Sequence, residues 1–171
     1  MVLLTTLEPD VSIVQRTARR FYLCSCESLD QLSAKFEPSS KYFRLAIAVD
    51  ALNISDDLIR KTARTALQRG LSSLCVWGRD CERVHDLFDD AERELHLPRG
   101  ASWTSTDVVM TTRHANETLD QALWHFAWCS IPTEYFESES QDCFVAVIGN
   151  PVWEREVREN FGEVISQTKD V

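Results

Sequence analysis

Short runs of apolar residues alternate with amphipathic segments along most of the chain. Four such runs occupy residues 43–50, 71–78, 107–112 and 143–150, and the first, "FRLAIAVD", is continuous rather than alternating. A continuous apolar run is typical of a strand that is covered on both faces, as in a parallel sheet between two layers of helices. The pattern therefore predicts four mainly parallel strands.

Each apolar run is followed by a segment whose apolar residues recur with the period of a helix. The segment at 53–70 has Ser55 near its start and Gly70 at its end, residues that commonly begin and close helices. Alternating strands and helices predict an α/β fold with right-handed crossovers. We expect a small three-layer α/β/α sandwich of the Rossmann or flavodoxin type. Counted along the chain, its four strands are expected in the order 2-1-3-4.

The first 40 residues do not follow this alternation. The string "DVSIVQRTARRFYLC" is compatible with a short helix or an added strand, and "EPSSKY" is typical of a linker. We expect residues 1–40 to form an N-terminal extension on the outside of a single α/β domain at 41–171.

Charge and composition narrow the class of partner. The chain carries 27 acidic and 18 basic residues, a formal net charge of −9. This balance argues against nucleic acid, because binding phosphates requires clustered Lys and Arg. It fits either a basic protein partner or simple solubility. No stretch approaches the length of a membrane span, and the N-terminal apolar run lacks the preceding basic residues of a signal peptide.

The six cysteines show no CxxC pair and no metal-finger spacing. We interpret them as the free thiols of a reduced, cytoplasmic protein, with Cys75 and Cys143 acting as small hydrophobic residues in strands. His85 and His125 fall on helices and are interpreted as packed or surface side chains. The sequence therefore predicts no metal site, and it predicts no cofactor.

Polar side chains gather where the predicted strands end. In open α/β sheets ligands bind beyond the carboxyl ends of the strands. The candidates at this rim are Asp50, Asn53, Arg79, Asp80, Cys81, Thr111, Thr112, Arg113, His114 and Asn150. Neither a GxGxxG nor a GxxxxGK[ST] loop is present, which argues against nucleotide binding through those loops. A small anion held by Arg79 or Arg113 at a helix N-terminus remains open.

Cys81 supports two interpretations. It falls at the first turn of a helix, where the dipole stabilises a thiolate, and His114 as base with Asp50 or Asp80 as orienting group would make it a nucleophile. Alternatively, "WGRDC" is a strand-to-helix turn in which Gly78 permits the bend and Asp80 caps the helix. The sequence favours the second interpretation.

Two tryptophans, Trp124 and Trp128, lie off the apolar stripe of their helix. They either pack beneath the N-terminal segment or form an exposed patch for a protein partner.

Two turns carry a resemblance to a known family. "WGRDC" and "VMTTRHANETLDQALWHFAWC" are similar to a Trp-Gly-x-Asp-Cys turn and a Met-Thr-Thr-x-His turn in short bacterial α/β proteins that form a domain of unknown function. The resemblance covers about residues 43–150. Arg79 stands where the family pattern has proline, and Arg113 where it has tryptophan. What the resemblance implies is a set of positions to examine: Asp80, Cys81, Thr111, Thr112, His114 and Glu117.

Three classes of function follow from these observations. The first is a non-catalytic binding or regulatory domain, of which an immunity-type protein is one version, acting on a protein partner or on a second copy of itself. The second is a small enzyme or ligand-binding domain that uses Cys81 and His114 at the rim. The third is an accessory subunit of a larger assembly. The acidic charge and the two tryptophans favour the first class.

Overall fold

The computed structural model describes residues 1–8, 17–35, 37–96 and 107–166. In these ranges the strands are β1 (Val2–Leu7), β2 (Arg19–Cys26), β3 (Phe43–Ala48), β4 (Leu71–Trp77), β5 (Met110–His114) and β6 (Asp142–Ile148). The helices are α1 (Leu32–Lys35), α2 (Asp56–Gln68), α3 (Cys81–His96), α4 (Leu119–Trp128), α5 (Glu134–Glu137) and α6 (Pro151–Ser166). The α/β class predicted from the sequence is confirmed.

The strands form one mixed sheet in the order β1-β2-β6-β3-β4-β5. Only the pairing of β1 with β2 is antiparallel. The predicted four-stranded sheet is therefore wrong in number, since six strands pair in the described ranges. The predicted order 2-1-3-4 is also wrong: the four predicted strands lie in the order 4-1-2-3, because β6 returns to the far side of β3.

The N-terminal segment supplies the two additional strands. β2 runs parallel to β6 over its whole length, from Arg20 opposite Asp142 to Cys26 opposite Ile148. Every residue of β6 is buried, so its backbone needs a hydrogen-bonding strand on each side. β3 pairs with one side and β2 with the other. β1 and β2 thus extend the sheet at one edge, in line with the added strand that the sequence left open, while residues 9–16 lie outside the described ranges.

Two separate apolar layers cover the sheet, one on each face. The first layer joins the sheet to α2 and α3, and the second joins it to α4 and α6. Successive residues of β4 alternate between them: Leu74 and Val76 face α2 and α3, whereas Cys75 and Trp77 face α4. This alternation decides which rim side chains can meet.

Helix α4 is fixed at both ends. At its start Thr118 and Gln121 form a reciprocal capping box. At its end the buried Arg19 guanidinium donates to the Ala127 carbonyl, and Arg44 Nη1 donates to the carbonyl oxygen of Ser130 at 3.2 Å. Burial lowers the pKa of Arg19 to about 10, so its guanidinium remains charged against the negative end of the helix at neutral pH.

Among the helices in the described ranges, none is both long and apolar enough to cross a membrane. All six cysteines are free, and Cys129 is the exposed one.

Candidate functional site

The "WGRDC" turn is built by backbone geometry and one arginine. Gly78 has a φ of 116°, and a Cβ at this position would lie 2.1 Å from the carbonyl oxygen of Val49. Asp80 also has a positive φ of 61°, and its carboxylate accepts from Arg83 Nε at 2.7 Å. Arg83 thus gives the Asp80 carboxylate a structural partner within the turn.

Arg83 also connects this turn to the loop that follows β3. Its guanidinium donates to the carbonyl oxygens of Ala51 at 2.6 Å and Ile54 at 3.1 Å, and it pairs with Asp56. Arg83 therefore helps to hold two neighbouring rim loops together.

Asp50 and Arg79 form an exposed ion pair across the same loops, with Arg79 Nε 3.1 Å from Asp50 Oδ2. The hydrogen bond from Arg79 lowers the pKa of the Asp50 carboxyl. Because each of these predicted residues is engaged by the other, neither presents an unpaired charge to a ligand.

Cys81 and His114 do not form the expected dyad. The Cys81 thiol is fully buried, and burial raises its pKa while a hydrogen bond involving the His114 backbone lowers it in part. The His114 imidazole belongs to the opposite face of the sheet. Its Nδ1 lies 2.9 Å from Glu117 Oε2 and its Nε2 lies 3.2 Å from Thr112 Oγ1. Strand alternation separates the two side chains.

Thr111 contacts a different histidine on the α3 face. Its hydroxyl donates to Asp89 Oδ1 at 2.8 Å and lies 3.1 Å from His85 Nε2, while His85 Nδ1 lies 3.0 Å from Asp86 Oδ1. The arrangement superficially matches a hydroxyl–imidazole–carboxylate triad. However, the Thr111 proton points to Asp89, so the imidazole does not withdraw it and the hydroxyl is not activated.

Two further rim candidates, Arg113 and Asn150, lie apart from these groups. Arg113 is exposed, with Nε 3.8 Å from Glu82 Oε1. Asn150 caps α6, because its Oδ1 accepts from the backbone N–H groups of Val152 at 3.0 Å and Trp153 at 3.1 Å.

Open space at the rim lies at the carboxyl end of β6, on the side of β3 and on the side of β2. A cavity of about 450 Å³ is bordered by Glu27, Asp50 and Asn53, and a neighbouring one of about 370 Å³ by Asn150 and Glu154. Neither cavity reaches Cys81 or His114. The predicted rim site is therefore divided into a solvated crevice and a separate group around His114.

The group around His114 contains three side chains that can bind a metal ion. Cys75, His114 and His125 each offer one ligand atom, and these atoms lie within 4.8 Å of one another. The two imidazole rings have their centroids 4.5 Å apart at an angle of 57°. This group, the CHH cluster, is formed by β4, β5 and α4.

Strand register brings the CHH cluster together. In the parallel pairing of β4 with β5, Cys75 lies opposite Thr112 and Trp77 lies opposite His114. All four side chains point towards α4, which places His125 above them. β4, β5 and α4 are distant in sequence, and each therefore contributes one side chain to the CHH cluster beneath α4.

The electrostatic state of the CHH cluster follows from its burial. Cys75 and His114 are only 2% and 4% exposed. Burial raises the pKa of the Cys75 thiol to about 12, and burial, followed by the nearby His114, lowers the pKa of His125. His125 Nδ1 is buried and makes no hydrogen bond within the described ranges. A neutral imidazole with a buried, unused nitrogen is suited to coordinate a metal ion.

Further polar contacts orient His114. Glu117 is half-exposed and accepts from Nδ1 of the ring, and the Trp77 indole N–H donates to the Glu117 carbonyl oxygen at 2.8 Å. Because Nδ1 carries the proton, Nε2 has the lone pair that faces into the cluster. Histidine ligands to metals are commonly held by such carboxylates.

The donor set and spacing fit a transition-metal ion. One thiol and two imidazoles suit zinc and related ions rather than magnesium or calcium. A tetrahedral ion with bonds of about 2.0–2.3 Å sets its ligand atoms about 3.3–3.8 Å apart, so the cluster must close by at most about 1.5 Å. A fourth position is left for a water molecule or the Thr112 hydroxyl.

Sequence reasoning found part of this cluster. It selected His114, Thr112 and Glu117, but it interpreted Cys75 as a small hydrophobic residue and His125 as a packed side chain. It also expected no metal site, because the spacing 75, 114 and 125 matches no metal motif. The missing signal is the register of β4 against β5, which sequence periodicity does not contain.

Trp124 and Trp128 are partly buried and pack against the second apolar layer. The Arg19 guanidinium lies 5.9 Å from the centre of the Trp128 ring. Neither tryptophan is among the exposed large hydrophobic residues of the described ranges. A partner surface formed by these two rings stays a prediction, although α6 and the N-terminal strands contribute to the same layer.

Comparison with known proteins adds a family but no activity. No curated protein matches this chain. A family model described as "Domain of unknown function (DUF7684)" matches residues 20–163. The match extends beyond the resemblance noted from the sequence and includes β2 from its second residue onward, as well as all three residues of the CHH cluster. The chain therefore belongs to the DUF7684 family, a domain of unknown function.

Proposed function

We propose that this protein is a non-catalytic, metal-binding regulatory domain that holds a zinc-class ion at the CHH cluster. The observation that carries the proposal is the approach of Cys75, His114 and His125 to within 4.8 Å of one another. The buried, unused Nδ1 of His125 supports it independently. A bound ion would give that nitrogen a partner.

Burial of the CHH cluster favours a regulatory role over catalysis. The cavity that borders Cys75 measures about 10 Å³ and has apolar walls, so it holds at most about one water molecule and no substrate. An ion here would join β4, β5 and α4. In this proposal its binding stabilises one arrangement of that layer, which a protein partner or a second copy of the chain recognises. Six free cysteines fit a cytoplasmic location.

The nucleophilic alternative has weaker support. The Cys81 thiol is buried with a raised pKa, and both nitrogens of His114 face other side chains. A nucleophilic cysteine requires a lowered pKa and a base within reach.

Cobalt(II) titration of the metal-free protein tests the proposal. We expect a thiolate-to-cobalt charge-transfer band together with visible d–d absorption, and displacement of cobalt by zinc. Binding replaces the Cys75 thiol proton, so one proton is released per ion and the affinity increases with pH. Cys75→Ala should abolish the charge-transfer band, and His125→Gln should weaken binding by at least about 100-fold.

Matched variants make the test specific. Cys143 is another fully buried strand thiol in the same apolar layer, and His85 is another helical histidine, so Cys143→Ala and His85→Gln should leave the cobalt spectrum unchanged. Circular dichroism establishes that each variant is folded. Failure of the wild-type protein to bind, or an unaltered spectrum in folded Cys75→Ala, would overturn the proposal.

A further inference from the structure

A cavity of about 360 Å³ opens at the edge of the sheet opposite to the rim. It lies near the amino-terminal ends of β4 and β5, between the end of α3 and the short helix α5. Its lining combines Glu92 and Asp107 with the rings of Tyr42, Tyr135 and Phe136. No residue of the CHH cluster borders this cavity.

Glu92 is the unusual group in this cavity. It is 5% exposed, and its Oε1 accepts from the Val109 N–H at 2.8 Å. Burial, together with the nearby Asp89 and Asp107, raises the pKa of Glu92 to about 7 against the opposing effect of the Val109 hydrogen bond. His96 Nε2 lies 3.9 Å from Oε1. No Lys or Arg within the described ranges is close enough to form an ion pair with this carboxylate.

Three aromatic rings form the wall near α5. Tyr42 and Phe136 pack edge to face with centroids 4.8 Å apart, and Tyr135 lies 5.0 Å from Phe136 and 6.0 Å from Tyr42. Lys41 lies over the Tyr42 ring at 4.9 Å, but it is already paired with Glu139 at 3.0 Å. Rings of this kind attract cations through their π faces and also accept apolar groups.

We infer that this cavity binds a small organic ammonium ion, with the charge beside Glu92 and the carbon skeleton against the aromatic wall. A cationic ligand would give the buried carboxylate a permanently charged partner, where it otherwise has only the His96 imidazole at 3.9 Å. The two carboxylates disfavour anionic ligands such as phosphates. The aromatic and aliphatic walls disfavour a hydrated metal ion, which requires surrounding oxygen ligands. The volume suits a ligand with one ring or a short alkyl chain.

Isothermal titration calorimetry with tyramine tests this inference. Tyramine carries an ammonium group on a short aromatic skeleton, and tyrosol is its neutral counterpart with a hydroxyl in place of the amine. We expect tyramine to bind the wild-type protein at least about tenfold more tightly than tyrosol, since only the cation pairs with Glu92. Glu92→Gln should remove that preference while retaining an acceptor for the Val109 N–H.

Two further variants separate ligand contact from a general loss of structure. Glu94→Gln changes a partly exposed carboxylate on the same helix and should leave tyramine affinity unchanged. Tyr135 is 56% exposed, so Tyr135→Ala should weaken tyramine binding by about three- to tenfold without disturbing the core. The inference is overturned if tyramine fails to bind at millimolar concentration. It is equally overturned if tyrosol binds as tightly, or if folded Glu92→Gln keeps the preference for tyramine.

Discussion

At His114 the position of one proton decides which nitrogen can hold a metal ion. Glu117 Oε2 lies 2.9 Å from Nδ1, and a carboxylate accepts, so Nδ1 carries the proton and Nε2 the lone pair. Nε2 faces Thr112 and the remaining members of the CHH cluster. Glu117 therefore acts on the site through His114, as a positioning residue.

Replacing Glu117 by Gln tests that role. The amide removes the charge that holds the Nδ1 proton, and we expect cobalt affinity to fall by about 10- to 100-fold. The absorption spectrum of bound cobalt should shift, because the ring is less firmly oriented. The measurement is a cobalt titration followed by zinc competition.

A purely structural role for Glu117 predicts a different result. In that case Glu117→Gln would lower the midpoint of thermal unfolding of the metal-free protein and leave the cobalt spectrum unchanged. Glu82→Gln is the surface control, since the Glu82 side chain is 65% exposed. It should alter neither observable.

Among the secondary-structure elements, the β4–α3 turn determines how α3 begins. Gly78 brings its backbone against the Val49 carbonyl, and Asp80 follows in a left-handed conformation. Cys81 is thereby directed into the core as the first residue of the helix. The same turn therefore buries this thiol, and burial raises its pKa.

Gly78→Ala should destabilise the protein by about 2–4 kcal/mol, because the added Cβ meets the Val49 oxygen and the φ of 116° strains any L side chain. Urea unfolding monitored by circular dichroism measures the effect. Gly162→Ala is the matched control. Gly162 lies within α6, and an added Cβ there would meet no atom within 4 Å, so alanine should stabilise the protein by about 0.5–1 kcal/mol. Equal effects at both positions would contradict the argument.

On the scale of the whole molecule, Asp142 joins three parts of the fold. Its buried carboxylate pairs with Arg20 of β2 at 2.7 Å and accepts from the Ser40 N–H at 2.9 Å and from the Ser39 hydroxyl at 2.9 Å. Burial raises the pKa of Asp142, but the hydrogen bonds from Ser40, Arg20 and Ser39 outweigh burial, and the net shift is downward. One ionised carboxylate thus links β6 to β2 and to the segment that contains Ser39 and Ser40.

Asp142→Asn should lower the free energy of unfolding at pH 7 by about 2–4 kcal/mol, because the amide cannot replace a charged acceptor of several donors. Since the folded-state pKa is depressed, the stabilisation is present above the unfolded pKa near 3.8 and is lost as the pH falls through the folded value. The difference between the two proteins should therefore shrink below about pH 4. Urea unfolding across this pH range measures it.

Glu139→Gln provides the control for a surface carboxylate. Glu139 pairs with Lys41 in an exposed position, so its replacement should change stability by less than about 1 kcal/mol. If Asp142→Asn has as small an effect, the carboxylate does not hold the three parts together.

The local pattern of apolar and polar residues was sufficient to predict most of the strands and helices. The buried strands β3, β4 and β6 and the helices between them follow from apolar periodicity, and Ser55 and Cys81 stand at the helix starts expected for them. The same local pattern did not show that Arg19–Cys26 pairs with β6. A strand of mixed polarity next to a linker does not indicate which strands lie beside it in the sheet. Its place beside β6 depends on the backbone edge that β6 presents on the side away from β3.

The sequence alone determined the α/β class, the acidic balance and the candidates His114 and Thr112, because residue type and periodicity are local properties. Glu117 was implied by the family resemblance. Only the tertiary structure decided the order of the strands, the separation of Cys81 from His114, and the approach of Cys75 and His125 to His114. Each of these depends on which face a side chain points to and on which residue lies opposite it across a strand pair. Those relations are set by long-range pairing of backbones and by packing of helices on the sheet.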